Sequence, residues 1–535
     1  MRRTQLALSI TLAVSLATGT PAAATERGSW DHVGNGGAVG TPSLNAIVSV
    51  LHKVGTELYA GGSFTNASGD PNADRIAKWD GIAWRALGTK PLDSGAVLAI
   101  AHYGGKIYVG GNFQNAGGNP DADNLAVFDG TNWAPFCASA GHVGSVVSLQ
   151  VNALQVIGST LYVGGDFQNG TGLAKADYLL ACDLVTGAPR ATVDTDGDFT
   201  GAVYALTADS NGVLYAGGTF TNLDGDLAAD HIAAYDGTWH AVGGGIDTFV
   251  RALTAKGTNV YVGTDKVNVA GIAKADHVVK WDGSAWQALG GNTAGTDGWF
   301  PTTTYIYSLA ASGSLLFAAG SFQNANGQTA ADNVAWFDGR RWHPLGSNGA
   351  GDGPWVGEGR ALEAVNGLVY AGGNFTSAGG DINARFVASR SLRLPDAAIR
   401  TIPGTFVGND IYSLKALASQ TATMQIERGS SRSYQVLIQN DGLVPAAFTV
   451  RSDYTTEYPG YTVMFSNDAN AADITAELAG GNFSTGILAP GKSFSMRMIV
   501  QLSLSAANIG TFQIRVKSPL GTPIYDTVRG VVSAF

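Results

Sequence analysis

The chain has 535 residues, more than one ordinary domain holds. Its 73 glycines are roughly twice the average share, while charged residues make up only 14%. A hydrophobic content of 45% excludes a disordered chain, 17 prolines without a Gly-X-Y period exclude collagen, and a net charge of −10 excludes a basic nucleic-acid-binding surface.

From the N-terminus, the first expectation is an export signal over residues 1–24. Arg2 and Arg3 precede a mostly apolar run at 5–18, and Pro21-Ala22-Ala23-Ala24 offers a small-residue cleavage site. That run is too short to span a bilayer, and no later stretch approaches a membrane span. The mature chain is therefore expected outside the cytoplasm, extracellular or periplasmic, and as a monomer.

A repeat begins after this segment. LYAGGSFTNASGDPNADRIAKWDGIAWRALG at 58–88 returns as IYVGGNFQNAGGNPDADNLAVFDGTNWAPF at 107–136 and as LYAGGTFTNLDGDLAADHIAAYDGTWHAVG at 214–243. The aromatic marker recurs at Tyr59, Tyr108, Tyr162, Tyr215, Tyr261, Phe317 and Tyr370, in steps of 49, 54, 53, 46, 56 and 53 residues. Each repeat holds four short strand-like pieces, with a DG hairpin signal between the last two. Four strands in about 50 residues, repeated seven times, predict a seven-bladed β-propeller over residues 25–395. The seventh repeat lacks its final strand after Arg390, and Trp30-Asp-His-Val-Gly34 supplies a matching piece. The N-terminal strand is therefore expected to close the ring.

Residues 400–535 change character. Period-2 stretches such as Tyr434–Gln439 and Thr511–Val516, separated by Asn440-Asp-Gly and Ala489-Pro-Gly turns, predict an Ig-like β-sandwich. The fold class is thus all-β throughout. Cys137 and Cys182, the two cysteines, fall in neighbouring repeats, as a bridge or as a buried pair of free thiols.

The LYxGGxFxNAGG…ADxIAxWDGxxWxxLG pattern resembles the repeats of secreted bacterial kelch-like β-propellers and is similar to those of a fungal cortical-marker group. The resemblance covers roughly residues 28–390. It implies the fold and an extracellular setting, but no single activity.

Within such a fold, the long FTNASGDPNAD-type loops and the inter-repeat crossovers lie at one end, with Phe64, Phe113, Phe167, Phe220, Phe322 and Phe375. Variable loops on a rigid frame are where function is expected. A near-ring of aspartates at 74, 123, 177, 230, 276 and 332 suits a structural role at each strand entry. The residues beside it vary and become ligand candidates: Arg75, Tyr178, His231, His277 and, in the seventh repeat, Arg385. The crossovers add Trp299, Phe300 and Trp355 as aromatic platforms for sugar rings, or as plugs on the strand ends. Asp194, Asp196 and Asp198 alternate as in a calcium loop but lack the EF-hand glycine and glutamate. A looser oxygen cage for calcium stays open there and at Asp224, Asp226 and Asp230. No Cys-x-x-Cys or G-x-S-x-G motif is present.

Together these features point to an exported binding protein for an extracellular glycan or protein partner. The alternative is a carbohydrate-active hydrolase or lyase, which would need titratable groups converging in the central funnel.

Overall fold

The computed structural model describes residues 30–34, 43–138, 147–172, 176–190, 199–348, 350–409, 415–453, 458–519 and 524–535. It is all-β, with repeated four-stranded antiparallel sheets in a propeller-like arrangement. The first repeat shows the pattern: Val48–Val54, Glu57–Gly62, Ile76–Trp79 and Trp84–Arg85 pair in chain order. Seven sheets of this kind occur among the described residues. In the seventh, Gly357–Val365, Leu368–Phe375 and Val387–Ser391 are completed by Asp31–His32 from the other end of the repeat region. The opening strand of each sheet packs beside that of the next, and Gly357–Val365 returns to Val48–Val54.

The seams between sheets hold the core. Each has its own cluster, such as Leu44, Val48 and Leu58 of the first sheet with Ala361, Tyr370 and Val387 of the seventh. The paired glycines belong to these seams. A Cβ on Gly61 would lie 2.6 Å from Val97 of the next sheet, and one on Gly62 would lie 2.0 Å from the Ile47 carbonyl oxygen. The first glycine admits the neighbouring sheet and the second admits a backbone. A tryptophan peg adds polarity to the seam. The indole N–H groups of Trp84, Trp133 and Trp342 donate to Val33, Leu87 and Leu289 carbonyls of the preceding sheet, each at 2.8 Å. Trp30 does the same to Leu345, also at 2.8 Å, so the N-terminal piece docks by the shared rule.

The outer strand of the third sheet, Pro189–Arg190, brings no such tryptophan. At that seam Cys137 and Cys182 form a disulfide with Cα atoms 5.5 Å apart. Cys137 follows Phe136 as Gly88 follows Leu87, and it keeps the positive φ of that place at 69°.

The C-terminal residues form a separate core. A four-stranded sheet runs Pro395–Thr401, Ser431–Asn440, Ser493–Leu502 and Tyr461–Asn467. A five-stranded sheet runs Thr421–Ile426, Tyr525–Ala534, Ile509–Lys517, Ala446–Ser452 and Phe483–Leu488, its first pair parallel. Tyr434, Ile438, Phe448, Phe465, Met498 and Phe512 fill the space between them. No helix among the described residues is long and apolar enough to cross a membrane.

Candidate functional site

The aspartate ring holds loops. In all six repeats one carboxylate oxygen accepts the backbone N–H of an asparagine eight residues earlier: Asn66 to Asp74 at 2.6 Å, Asn115 to Asp123 at 2.7 Å, Asn169 to Asp177 at 2.6 Å. The pairs Asn222–Asp230, Asn268–Asp276 and Asn324–Asp332 repeat this at 2.7, 2.9 and 2.5 Å. Each asparagine sits near φ 50–55°, where its short side chain is tolerated. Burial, and then neighbouring Asp297, raise the Asp276 pKa; burial and Asp352 raise that of Asp332.

Four of the residues following these aspartates are pegs for the crossovers. Arg75 donates to the Asp93 carbonyl at 3.2 Å, Asn124 to Val147 at 2.9 Å, His231 to Ile246 at 2.7 Å and Asn333 to Trp355 at 3.2 Å. Tyr178 accepts from Gln168 at 3.4 Å. The register in the seventh repeat is one residue later than the sequence suggested. Phe386, with φ 63° and its N–H on the Phe375 carbonyl, holds the peg place, and Arg385 stands where the aspartates stand. Arg385 donates to the Thr376 carbonyl at 3.0 Å. Thus His231 and His277 meet no common pocket.

His277 is fully buried, and no polar atom meets its ring nitrogens in good hydrogen-bond geometry. Burial drives its pKa down to about 4, against weaker pulls from the Pro301 carbonyl and Asp265. The unfolded chain takes up a proton near pH 6.5 that the folded chain refuses until about pH 4. The His277 contribution to stability is therefore greatest above about 6.5 and falls as pH drops, by up to about 3 kcal/mol once both values are passed. His277→Asn, the residue at the matching places 124 and 333, suits the φ of 61° and is expected to flatten this loss in denaturant titrations at pH 7 and pH 4.

The aromatic platforms are not exposed. Trp299, Phe300 and Trp355 are 3%, 4% and 2% accessible. Phe300 packs on Phe322 and Trp342 at 5.1 and 5.0 Å, and Trp355 lies 4.8 Å from Phe375 and 4.9 Å from Trp30. Aromatics beside carboxylates in a crossover here mark plugs, because the open ends of the strands need covering. Asp194, Asp196 and Asp198 lie outside the described residues. In the second acidic loop Asp226 accepts the Ala228 N–H at 2.9 Å, Asp230 holds Asn222, and Asp224 is exposed. These three do not converge; among the described residues the carboxylate and imidazole group that does is Asp31, His32 and Asp381.

A different feature gathers side chains at the loop-rich mouth. Every opening strand carries a β-bulge at one position, occupied by Ser49, Leu98, Asn152, Tyr204, Arg251, Tyr307 and Arg360. Bulges re-aim side chains. Six of these residues, all but Tyr204, line a cavity of about 210 Å³ inside the ring of opening strands, together with one leucine or isoleucine from each sheet, from Leu51 to Leu362. The sheets differ in what they present. The fifth to seventh form a crescent: Tyr305 and Tyr307 lie parallel at 6.2 Å, the Arg251 guanidinium is 5.8 Å from the Tyr305 ring, and that of Arg360 is 5.2 Å from Tyr307. Asp265 pairs with Arg251 at 3.3 Å and Glu358 with Arg360 at 2.5 Å. Phe249 and Tyr305 are each 44% exposed. The Arg251 Nε is buried without a partner.

The other end of the opening strands carries titratable groups from the seventh, first and second sheets. His52 Nε2 lies 2.8 Å from His102 Nδ1. Burial, and then His102, lower the His52 pKa to about 4. Burial raises Glu363 to about 7, opposed by Lys53.

No family model matches the chain, and no curated protein does. Among solved structures, a PapD-like domain of human CEP192 aligns at 13% identity over 22% of this chain and 81% of its own, with a TM-score of 0.15. A family 123 glycoside hydrolase from Clostridium perfringens aligns at 12% identity over 26% of this chain and 27% of its own, with a TM-score of 0.17. The secreted serine protease VesC from Vibrio cholerae aligns at 10% identity over 32% of this chain and 36% of its own, with a TM-score of 0.17. This chain thus spans about a quarter to a third of the two enzymes.

Proposed function

We propose that the chain is an exported seven-bladed β-propeller, residues 25–395, followed by an Ig-like sandwich at 400–535, and that it binds a glycan at the loop-rich mouth of its central channel. The crescent carries this reading. An exposed tyrosine stacked on a second one offers a flat apolar face to a sugar ring, and two arginine–carboxylate pairs beside it can donate to and accept from neighbouring hydroxyls. Pairing leaves the arginines without surplus charge, which favours a polyol over a strong anion. A disulfide suits an oxidising compartment and supports export. The sandwich serves as spacer or attachment module.

The test is a glycan array with the full chain, followed by titration of the best hit. Tyr305→Ala and Arg251→Ala are expected to weaken that hit tenfold or more while the chain stays folded, since both side chains lie at the mouth. Unchanged affinity in both variants would sink the crescent, and an array without hits would turn the search to protein partners.

A hydrolase or lyase is the second reading, favoured by Glu363, whose raised pKa suits a general acid. It requires polysaccharide depolymerisation by the wild-type chain that is lost in Glu363→Gln.

A further inference from the structure

The seventh sheet contains a side-chain constellation that its six siblings lack. The outer-strand residue two places after the tryptophan is Ala86, Pro135, Ala241, Ala288 or Pro344 elsewhere, and His32 here. Across from it stands Asp381, in the loop after Phe375. The matching loop residues Asp70, Asn119 and Asp226 each use Oδ1 to accept a backbone N–H two residues on. Asp381 does so too, from Asn383 at 2.8 Å, and its Oδ2 meets His32 Nδ1 at 2.6 Å. Asp31 Oδ1 lies 3.2 Å from the same nitrogen. Two carboxylate oxygens therefore converge on one ring nitrogen that has a single proton to give.

The three donor atoms lie within 4.8 Å of one another. Donors about 2.1 Å from a common ion stand roughly 3 Å apart, close to the 3.2 and 2.6 Å that separate the His32 nitrogen from the two carboxylates. An imidazole with two carboxylates suits a first-row divalent cation such as zinc, whereas calcium takes oxygen donors. The side chains are 51%, 33% and 25% accessible, which leaves room for water in the remaining positions.

We propose that Asp31, His32 and Asp381 form a zinc-class metal site that clamps the N-terminal strand to the last sheet. That strand is two residues long and makes only two ladder pairs, Asp31 with Ser389 and His32 with Ala388. Both of its residues are ligands, so the ion reinforces the strand that completes the ring.

The full chain, stripped with chelator, is titrated with Zn²⁺ alone by calorimetry and by thermal unfolding. One equivalent is expected to bind and to raise the unfolding midpoint by a few degrees, and Ca²⁺ at the same concentration is expected to do neither. His32→Ala and Asp381→Asn each bind at least tenfold more weakly and lose the metal-dependent rise. Asp70→Asn, the matching loop position of the first repeat, keeps both. A folded wild type that takes up no zinc, or a His32→Ala variant that binds it as well as wild type, overturns the proposal.

Discussion

Replacing Cys137 and Cys182 together with serine is expected to lower the stability of the repeat region by about 4 kcal/mol. The bridge closes a loop of 45 residues, and the chain-entropy relation for that length gives this figure, within the 2–5 kcal/mol span for native bridges. The position makes the upper part of the span the better expectation. At this seam the third repeat lacks the tryptophan whose indole N–H ties other outer strands to the sheet before them, so the covalent link stands where a hydrogen-bonded peg stands elsewhere. Denaturant unfolding with and without reductant measures it. Reduction of the wild type should reproduce the double variant, and midpoints that coincide in all three states would show the bridge to be dispensable.

Trp30→Ala should be comparably costly, about 3–5 kcal/mol. Trp30 is 1% accessible, lies edge-on to Trp355, and donates to the Leu345 carbonyl. Its loss removes a large buried ring, orphans a buried acceptor and empties the space under the Trp355 plug. The damage should be polar in location. Limited proteolysis is expected to cut first in the seventh sheet, while the C-terminal core, which shares none of these contacts, keeps its own transition. Cleavage spread evenly over the sheets would argue that Trp30 is not what holds the closing strand.

The repeated sheets were legible because one repeat writes the same chemistry seven times. Tyr59, the paired glycines and Trp84 each answer a demand that recurs from seam to seam, with Cys137 and Cys182 standing in where the third repeat has no tryptophan. The site was less legible for the opposite reason. The bulge position holds Ser49, Leu98, Asn152, Tyr204, Arg251, Tyr307 and Arg360, which share a place in the backbone and no chemistry, so a scan for recurring residues passes over them. His231 and His277 vary beside constant aspartates. At His231 the variation reflects the crossover carbonyl it reaches, that of Ile246, whereas His277 is simply buried. The aromatic pair Trp299-Phe300 reads alike whether it faces solvent or plugs a strand end; only packing on Trp342 decides. His32 and Asp381 are 349 positions apart, and nothing local in either segment announces the other.

The closing strand also sets a clock. The residues that complete the last sheet are made before the rest of that sheet, and Trp30 waits for a carbonyl 315 positions downstream. The ring thus cannot finish until Val387–Ser391 has been delivered. Six sheets can assemble in order from local hairpins, but the seventh adds a contact of very long sequence separation, the kind that slows folding. Until Trp30 docks, Leu345 and Trp355 face water together, and the unpaired edge of Val387–Ser391 is open to a strand from another molecule.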